Sequence, residues 1–299
     1  MLRSPHSGIM ASSDLFSPFV WQLAHGRVLE LGSHARIMGV LNVTPDSFSD
    51  GGRFTGLDAA LAQAETMIGQ GADILDIGGE STRPGAEAVS AAEERRRVLP
   101  VIEAIASRFG VLMSVDTYRA ETARAAIEAG AHIVNDVWGL QREPDIAAIA
   151  AHTGAGLVVM HTNRQREALA DVIADQFAFL TQSLSIARAA RVADAQIVLD
   201  PGFGFGKETP ALNFGLMNRF DELHGLGFPL LVGTSRKRFL GTVTGREAAD
   251  RDAATAATSV LLRTKGAVLF RVHDVAMNKD ALAIADAMLQ AEPKPERDA

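Results

Sequence analysis

Eight short apolar runs in this chain end in polar side chains that could bind a ligand, namely Asn42, Glu80-Ser81-Thr82-Arg83, Asp116, Asn135-Asp136, His161, Asp200, Ser235-Arg236-Lys237, and Arg271 with His273. Carboxylates and amides such as Asp116, Asn135 and Asp200 suit a flat heterocycle, because paired hydrogen bonds orient its amino and ring N–H groups. Cationic groups such as Arg271 and His273 suit a phosphate or a carboxylate. At any one position the alternative is structural, for example a helix N-cap at Asp116 or Asp200.

The stretch from Met38 to Gly52 carries the densest set of such groups. It begins as an apolar run and continues as a loop with hydroxyls, carboxylates and one aromatic ring. We interpret it as a buried strand that delivers Asn42 to a site, followed by a loop that covers the site; a surface turn is the alternative. The amide oxygen of Asn42 suits a phosphate-bound Mg²⁺, which takes few protein ligands. We expect Asn42 to be ordered without ligand and residues 47–54 to be mobile.

These eight runs alternate with amphipathic or Ala-rich helical patterns. The runs are Ile37–Asn42, Ile74–Gly78, Val111–Asp116, His132–Asp136, Leu157–His161, Ile197–Asp200, Leu230–Ser235 and Val268–His273. Such alternation predicts parallel strands joined by right-handed crossovers. Eight units fit a single α/β (β/α)8 TIM barrel better than the alternative, an open doubly wound sheet. In a barrel the carboxyl ends of the strands carry the active site, so the polar side chains should meet on one rim.

The segments outside the barrel are short. Phe19–Leu23 and Arg27–Leu31 flank Ala24-His25-Gly26 and predict a hairpin before the first barrel strand. We predict one domain, with a flexible N-terminal tail over residues 1–18, a barrel over residues 19–292 that includes the hairpin segment 19–35, and a C-terminal tail over residues 293–299.

Composition excludes several classes of protein and site. The formal charge of −7 argues against a nucleic-acid or anionic-membrane surface. The chain has no Cys, which excludes disulfides, thiolate metal sites and cysteine nucleophiles. The histidines of the strand ends lack the i, i+4 partner of a helical zinc site, so we expect no structural zinc. No uninterrupted apolar run reaches the ~18 residues of a membrane span. We predict a soluble, cytoplasmic protein.

The glycine-rich segment Asp200–Glu208 looks like a nucleotide-binding loop but fails both common motifs. Pro201 stands where a Walker A glycine belongs, and Glu208 replaces the Ser or Thr of that motif. Lys207 occupies the third glycine position of G-x-G-x-x-G. The glycines are better explained as allowing a tight turn beside a ligand.

Several blocks of the chain, taken together and in order, resemble the bacterial dihydropteroate synthase family. The blocks are Leu41–Gly52, Gly78–Gly85, Ser114–Thr117, Asn135–Val137, Asp200–Gly206, Ser235–Lys237 and Arg271–Val275. The family fold is a (β/α)8 barrel, in agreement with the strand count. Its reaction joins 6-hydroxymethyl-7,8-dihydropterin diphosphate to p-aminobenzoate in folate synthesis and releases diphosphate. The resemblance also implies a homodimer, a requirement for Mg²⁺ and a target for sulfonamides.

The resemblance implies a role for individual residues. It places the pterin on Asp116, Asn135, Met160, Asp200, Phe205 and Lys237. It places the diphosphate on Arg271 and His273, with Asn42 at the metal. It places p-aminobenzoate on Phe48, Thr82, Arg83, Pro84 and Arg238. The catalytic residues that it implies are Asp50, Arg83 and Lys237.

A dissociative displacement suits this substrate, because a methylene group next to an electron-rich dihydropterin can lose diphosphate to leave a stabilised cation. The protein must then stabilise the leaving group and needs no nucleophile. Asp50 would stabilise the cation, and closure of two loops would exclude water. Two rivals remain open. A methyl-folate:corrinoid methyltransferase-like barrel has no use for Arg271 and His273 around a diphosphate, and a non-catalytic pterin-binding paralogue has no need of Asp50.

Two departures from the family pattern bear on these roles. Many relatives have a small hydroxyl residue where Arg238 stands, and that residue helps to hold the p-aminobenzoate carboxylate. Arg238 would either serve the same carboxylate or point to solvent while the backbone N–H does so. Residues 162–166 lack the Met-x-Gly of relatives and predict a variable loop. Arg271 is interpreted as a rim residue, so Arg271→Ala is expected to weaken substrate binding and turnover without unfolding the barrel.

Overall fold

The computed structural model describes residues 14–43, 53–80 and 89–291. A two-stranded hairpin comprises β1 (Phe19–Gln22) and β2 (Val28–Leu31). The central sheet contains β3 (Arg36–Asn42), β4 (Ile74–Gly78), β5 (Leu112–Asp116), β6 (Ile133–Asp136), β7 (Gly156–Met160), β8 (Ile197–Asp200), β9 (Leu231–Val232) and β10 (Leu269–Val272). The helices are α1 (Arg53–Gly69), α2 (Ala91–Arg108), α3 (Ala120–Glu128), α4 (Asp145–Thr153), α5 (Val172–Ala189), α6 (Pro210–Asn218), α7 (Arg238–Thr244), α8 (Asp252–Arg263) and α9 (Val275–Gln290).

The central sheet is parallel and nearly closed into a barrel. Its strand order is β8-β7-β6-β5-β4-β3-β10-β9, and a parallel bridge between Leu199 and Leu230 joins the two outer strands. The predicted TIM-like barrel is confirmed, and the open doubly wound sheet is excluded. β9 is shorter than the predicted run Leu230–Ser235, since only Leu231 and Val232 are in the strand and Leu230 forms the bridge to Leu199.

The interior of the barrel changes from apolar to polar along each strand. One buried cluster near the amino ends contains a side chain from every barrel strand, namely Met38, Ile74, Leu112, Ile133, Val158, Val198, Leu231 and Leu269. Successive strand residues point to opposite faces, so the next inward positions lie two residues further on. Those positions include Asp76, Ser114, Asn135, Asp200 and Arg271. Polar groups are therefore concentrated towards the carboxyl ends.

The hairpin covers the amino end of the barrel, opposite the polar residues. β1 and β2 pair antiparallel, with Phe19 opposite Leu31. Trp21 is fully buried in the apolar cluster of the barrel, and its Nε1 donates to the Gln196 carbonyl at 2.7 Å. The predicted hairpin is confirmed, and it contributes to the core.

Helix α7 is the main element that the sequence pattern does not predict. It begins at Arg238, directly after Lys237, and ends before Gly245, whose φ of 66° suits a left-handed C-cap. Its seven residues include Gly241 and the β-branched Thr242, which are weak helix formers. Helix α6 ends at Asn218, and a 3-10 segment, Phe220–Leu226, follows it.

The predicted domain limits stay predictions, since residues 1–13 and 292–299 lie outside the described residues. Residues 14–16 form a 3-10 turn, and the Phe16 ring lies 4.5 Å from the Arg263 guanidinium carbon. Within the described part of the chain, none of the helices has both the length and the apolar character needed to cross a membrane.

Candidate active site

Strand register brings predicted site residues side by side at the carboxyl end of the barrel. Asn42 pairs with Gly78, Gly78 with Asp116, and Asp116 with Asn135. Across the barrel, a side chain at Gly233 would lie 3.9 Å from the carboxylate of Asp200. A side-chain carbon at Gly78 or Gly233 would therefore be in contact with polar side chains of the site.

Two carboxylates hold Arg271 inside the barrel. Its Nε donates to Asp76 Oδ2 at 2.6 Å, and its Nη2 donates to Asp116 Oδ2 at 2.7 Å. Asn135 Nδ2 donates to the same oxygen of Asp76 at 3.1 Å. Asp76 is fully buried, and only 18% of the Arg271 side chain is exposed. The interpretation of Arg271 as a rim residue is therefore wrong, because it belongs to an interior ion-pair network. We call Asp76, Asp116, Asn135, Asp200 and Arg271 the cradle.

Burial makes two carboxyl groups of the cradle unusually weak acids. Removal from water raises the pKa of Asp116 to about 7, against the attraction of Arg271. Burial likewise raises the pKa of Asp200 to about 6, although the Gly202 N–H donates to its carboxylate at 2.7 Å. Near neutral pH these groups can either accept or donate a hydrogen bond. That property suits a heterocycle edge that presents both N–H groups and ring nitrogens.

A buried apolar cluster, which we call the slot, lies beside the cradle. It consists of Tyr118, Val137, Met160 and Phe205, with Trp138 packed against them. The Nζ of Lys237 lies 4.0 Å from the centroid of the Phe205 ring. Burial lowers the pKa of Lys237 to about 8, and the neighbouring charge of Arg271 acts in the same direction. A flat ring can therefore be held between apolar walls while an amine and carboxyl groups contact its edges.

His273 presents a neutral imidazole near the cradle. The Ser235 hydroxyl lies 2.9 Å from His273 Nδ1 and accepts the backbone N–H of the same residue at 3.1 Å. Burial, together with the charge of Arg271, lowers the pKa of His273 to about 3. In the tautomer in which the hydroxyl donates to Nδ1, the ring proton is on Nε2. Such an N–H is a donor for an anion.

Asn42 provides an oxygen at the end of β3. A side chain built at Gly78 would lie 3.7 Å from Asn42 Oδ1 and 3.8 Å from Asp116 Oδ2, so both oxygens border one space. No group of three His, Cys, Asp or Glu residues within the described ranges is arranged to hold a metal. This donor set fits a Mg²⁺ ion held mainly by substrate phosphate and water, with one amide ligand.

The glycine-rich segment makes the predicted tight turn. Gly202 has a φ of 64°, and a side chain there would lie 1.9 Å from the His161 carbonyl oxygen. Gly204 has a φ of 78°. Only glycine adopts such a backbone without strain, and the turn presents Phe205 to the slot.

Some residues singled out in the sequence do not reach the cradle. Asp136 accepts hydrogen bonds from the backbone N–H groups of Trp138 and Leu140, so it has a structural role and not the alternative role of binding a ligand. His161 points away from the slot and lies 3.0 Å from Asp175. Arg238 is 73% exposed, and it donates to Glu208 at 3.0 Å. The other predicted p-aminobenzoate and loop residues lie outside the described residues, namely Phe48, Asp50, Thr82, Arg83 and Pro84.

Three site residues were missed by reasoning from strand ends. Asp76 lies in the middle of β4, and its signal was a carboxylate inside an otherwise apolar strand. Tyr118 follows Asp116 by two residues and lines the slot. Arg164 lies in the predicted variable loop, with its guanidinium carbon 4.6 Å from the centroid of the Phe205 ring; nothing in the local sequence indicated that contact.

Comparison with known proteins agrees with this geometry. The family model described as pterin binding enzyme matches residues 38–273. The dihydropteroate synthase of Bacillus subtilis (strain 168) is 49% identical over 253 residues, which is 85% of this chain and 88% of that protein. The structure of Xanthomonas albilineans dihydropteroate synthase with 4-aminobenzoic acid superposes with a TM-score of 0.85 at 43% identity, covering 91% of this chain and 100% of that one. Yersinia pestis dihydropteroate synthase in complex with a sulfonamide drug gives a TM-score of 0.83 at 43% identity, covering 90% and 98%. The chain belongs to the dihydropteroate synthases, transferases of folate biosynthesis within the family of pterin-binding enzymes.

Proposed function

We propose that this chain joins 6-hydroxymethyl-7,8-dihydropterin diphosphate to p-aminobenzoate, giving 7,8-dihydropteroate and diphosphate by a dissociative displacement. The observation that carries the proposal is the cradle itself, where Arg271 is bound to Asp76 and Asp116 beside an apolar slot. A flat heterocycle with an anionic substituent matches that combination of walls, edge groups and cation.

The pterin ring would enter the slot between Met160 and Phe205. Its edge would contact Asp116, Asn135 and Asp200, whose groups offer both donors and acceptors. Lys237, above Phe205, would donate to a ring acceptor. Exclusion of water from the slot strengthens each of these contacts, because the local dielectric is low.

The diphosphate would bind at the carboxyl ends of β10 and β3. Arg271 would supply a guanidinium, and His273, in the tautomer with its proton on Nε2, would supply a neutral donor. Asn42 is the residue that would hold Mg²⁺, which when bound would neutralise charge on the leaving diphosphate. The bond that breaks joins the pterin methylene to the diphosphate oxygen, and the bond that forms joins the methylene to the amine of p-aminobenzoate. The amine then loses one proton.

The remaining roles in this proposal follow from the family pattern. Asp50, Arg83 and Lys237 are the proposed catalytic groups, and Asp50 would stabilise the cation. Phe48, Thr82, Arg83 and Pro84 would form the p-aminobenzoate site. Arg238 would bind the p-aminobenzoate carboxylate only if it left Glu208, with which it now pairs at the surface. An exposed pair of this kind is weak, so the exchange is inexpensive.

The decisive test is diphosphate release from the dihydropterin diphosphate in the presence of Mg²⁺ and p-aminobenzoate, with dihydropteroate measured in parallel. Stoichiometric formation of both products supports the synthase. Retained pterin binding without release would instead identify a non-catalytic pterin-binding paralogue. Methyl transfer from a methyl-folate to a corrinoid would identify the methyltransferase-like alternative. We also expect a sulfonamide to compete with p-aminobenzoate and not with the pterin substrate.

A second copy of the chain is the proposed macromolecular partner. Helices α8 and α9 pack together and expose large apolar side chains, namely Leu261, Met277, Ile284 and Met288. Isolated exposed residues are ordinary, but a group on adjacent helices favours an interface. Light scattering after gel filtration should give the mass of a homodimer. The double variant Leu261→Glu with Ile284→Glu should give the mass of a monomer. The cytoplasmic location expected from the sequence remains a prediction.

A further inference from the structure

A second cluster of titratable groups lies behind the slot, outside the cradle. Lys207 is 3% exposed, Asp175 is 2% exposed, and His161 is fully buried. The Nζ of Lys207 lies 3.0 Å from His161 Nδ1 and donates to the Gly202 carbonyl at 2.8 Å. The other ring nitrogen, Nε2, lies 3.0 Å from Asp175 Oδ2. None of the roles proposed above uses these groups.

The chemistry of the three groups determines the direction of their hydrogen bonds. Burial lowers the pKa of Lys207 to about 7. When Lys207 is an ammonium group it donates to Nδ1, and the proton of the neutral ring is then on Nε2. That nitrogen faces Asp175 Oδ2 at 3.0 Å and Arg166 Nη2 at 2.9 Å. Burial lowers the pKa of His161 to about 3, which keeps the ring neutral. Although burial raises the pKa of Asp175, the hydrogen bonds from His161 and Arg166 hold it well below its usual value. The carboxylate is therefore charged, and a lysine, a neutral ring and an anion are connected in that order.

Arg166 binds the Asp175 carboxylate from its other side. Its Nη1 and Nη2 donate to the two oxygens of Asp175 at 2.9 and 2.5 Å. It also donates to the Thr162 carbonyl at 2.7 Å and to Asn163 Oδ1 at 2.8 Å. The segment 162–166, predicted only as a variable loop, is thus held to α5 by charge-assisted bonds.

The cluster connects two loops that form the slot. His161 directly follows Met160, and Lys207 follows Phe205 by two residues. The loops also contact each other directly, since the Asn163 N–H donates to the Phe205 carbonyl at 3.1 Å. Because Lys207 spans the turn back to Gly202, it holds the backbone that presents Phe205 to the slot.

We propose that Lys207, His161 and Asp175 form a positioning network for the pterin slot. The network fixes the turn after β8 against the loop after β7, and so fixes the slot walls Met160 and Phe205. Lys207 does not contact the ligand, because both contacts of its Nζ are within the loops and the side chain is almost fully buried. The inference depends on the proposed function, since it assumes that the slot holds the pterin.

The test compares Lys207→Met with wild type in steady-state assays well below the unfolding temperature. We expect the KM for the dihydropterin diphosphate to rise about tenfold, the effect of losing one hydrogen bond from a charged donor. We expect kcat and the KM for p-aminobenzoate to stay within about twofold, because the groups that contact the leaving diphosphate are unchanged. Lys265→Met is the matched control, since Lys265 donates to Asn218 and Asp221 on the surface, away from the slot.

Coupling between the two ends of the network separates positioning from general destabilisation. Asp175→Asn should also raise the pterin KM, and the double variant with Lys207→Met should show about the same KM as Lys207→Met alone, because both changes break one chain of bonds. If Lys207→Met does not fold, Asp175→Asn carries the KM test. If the wild type is active and the folded single variants have an unchanged pterin KM, the proposed network is wrong. It is also wrong if the KM increases of the two single variants multiply in the double variant. A wild type without diphosphate release overturns the proposed function instead.

Discussion

Replacing Arg271 by Met tests whether the cradle is an element of stability as well as of binding. The guanidinium makes hydrogen bonds of 2.6 and 2.7 Å with Asp76 and Asp116. Met has a similar length and no charge, so the substitution preserves most of the volume and strands two carboxyl groups. Asp76 is fully buried and keeps only the contact from Asn135. The principal cost is therefore an uncompensated buried charge.

The expected loss is large for a single substitution. Removing one partner of a buried ion pair costs about 3–5 kcal/mol, a substantial part of the ~5–15 kcal/mol that stabilises a typical domain. At roughly 2–4 °C per kcal/mol for a domain of this class, the unfolding temperature should fall by about 6–20 °C. The double variant Arg271→Met with Asp76→Asn removes the stranded charge, and Asn can still accept from Asn135. It should recover most of the loss.

Urea unfolding followed by far-UV circular dichroism at pH 7.5 measures both effects, with wild type, the two single variants and the double variant in parallel. Diphosphate-substrate binding to each folded variant is measured alongside. A loss smaller than about 1 kcal/mol in Arg271→Met, the range of an exposed pair, would refute the interior role. Absence of recovery in the double variant would refute the charge explanation.

Three further predictions concern pH, the hairpin and the metal. Burial raises the pKa of Asp116 to about 7, above the ~4 of an unfolded aspartate, so the native chain binds a proton that the unfolded chain has released. The free energy of unfolding should therefore decrease as pH rises from about 4 to about 7. Denaturant titrations at several pH values measure this decrease, and it should be smaller in Asp116→Asn. Trp21→Ala should cost about 3–5 kcal/mol and leave both KM values unchanged, because Trp21 is buried at the opposite end of the barrel; altered KM values with normal stability would contradict this. Chelation of Mg²⁺ should abolish turnover. Asn42→Ala should raise the Mg²⁺ concentration needed for half-maximal rate, whereas the control variant Asn218→Ala should leave it unchanged.

The local pattern of the chain was sufficient for the order of its elements. Apolar runs bounded by polar or glycine residues marked every barrel strand, and the strand ends placed Asp116, Asn135 and Asp200 at the same end of the barrel. It was insufficient for α7, whose weak helix formers are held in place by packing. It also did not separate His161, which points away from the slot, from the inward-facing Met160, because the alternation of a strand shows two faces without saying which one is inside.

The contacts of the cradle depended on tertiary structure alone. Asp76 and Arg271 are separated by 195 positions in the chain, and only closure of the barrel brings β4 and β10 close enough for them to pair across β3. A sequence shows the charge of each residue but not its distance from water. For that reason Arg271 was interpreted as a rim residue, and Asp76 was not predicted to belong to the site. Burial then raises the pKa of Asp116 and Asp200 and makes the pair with Arg271 costly to break. The residue types at the strand ends were thus determined by the sequence, whereas their pairing, protonation and energetic weight were decided by the closed barrel, which removes them from solvent.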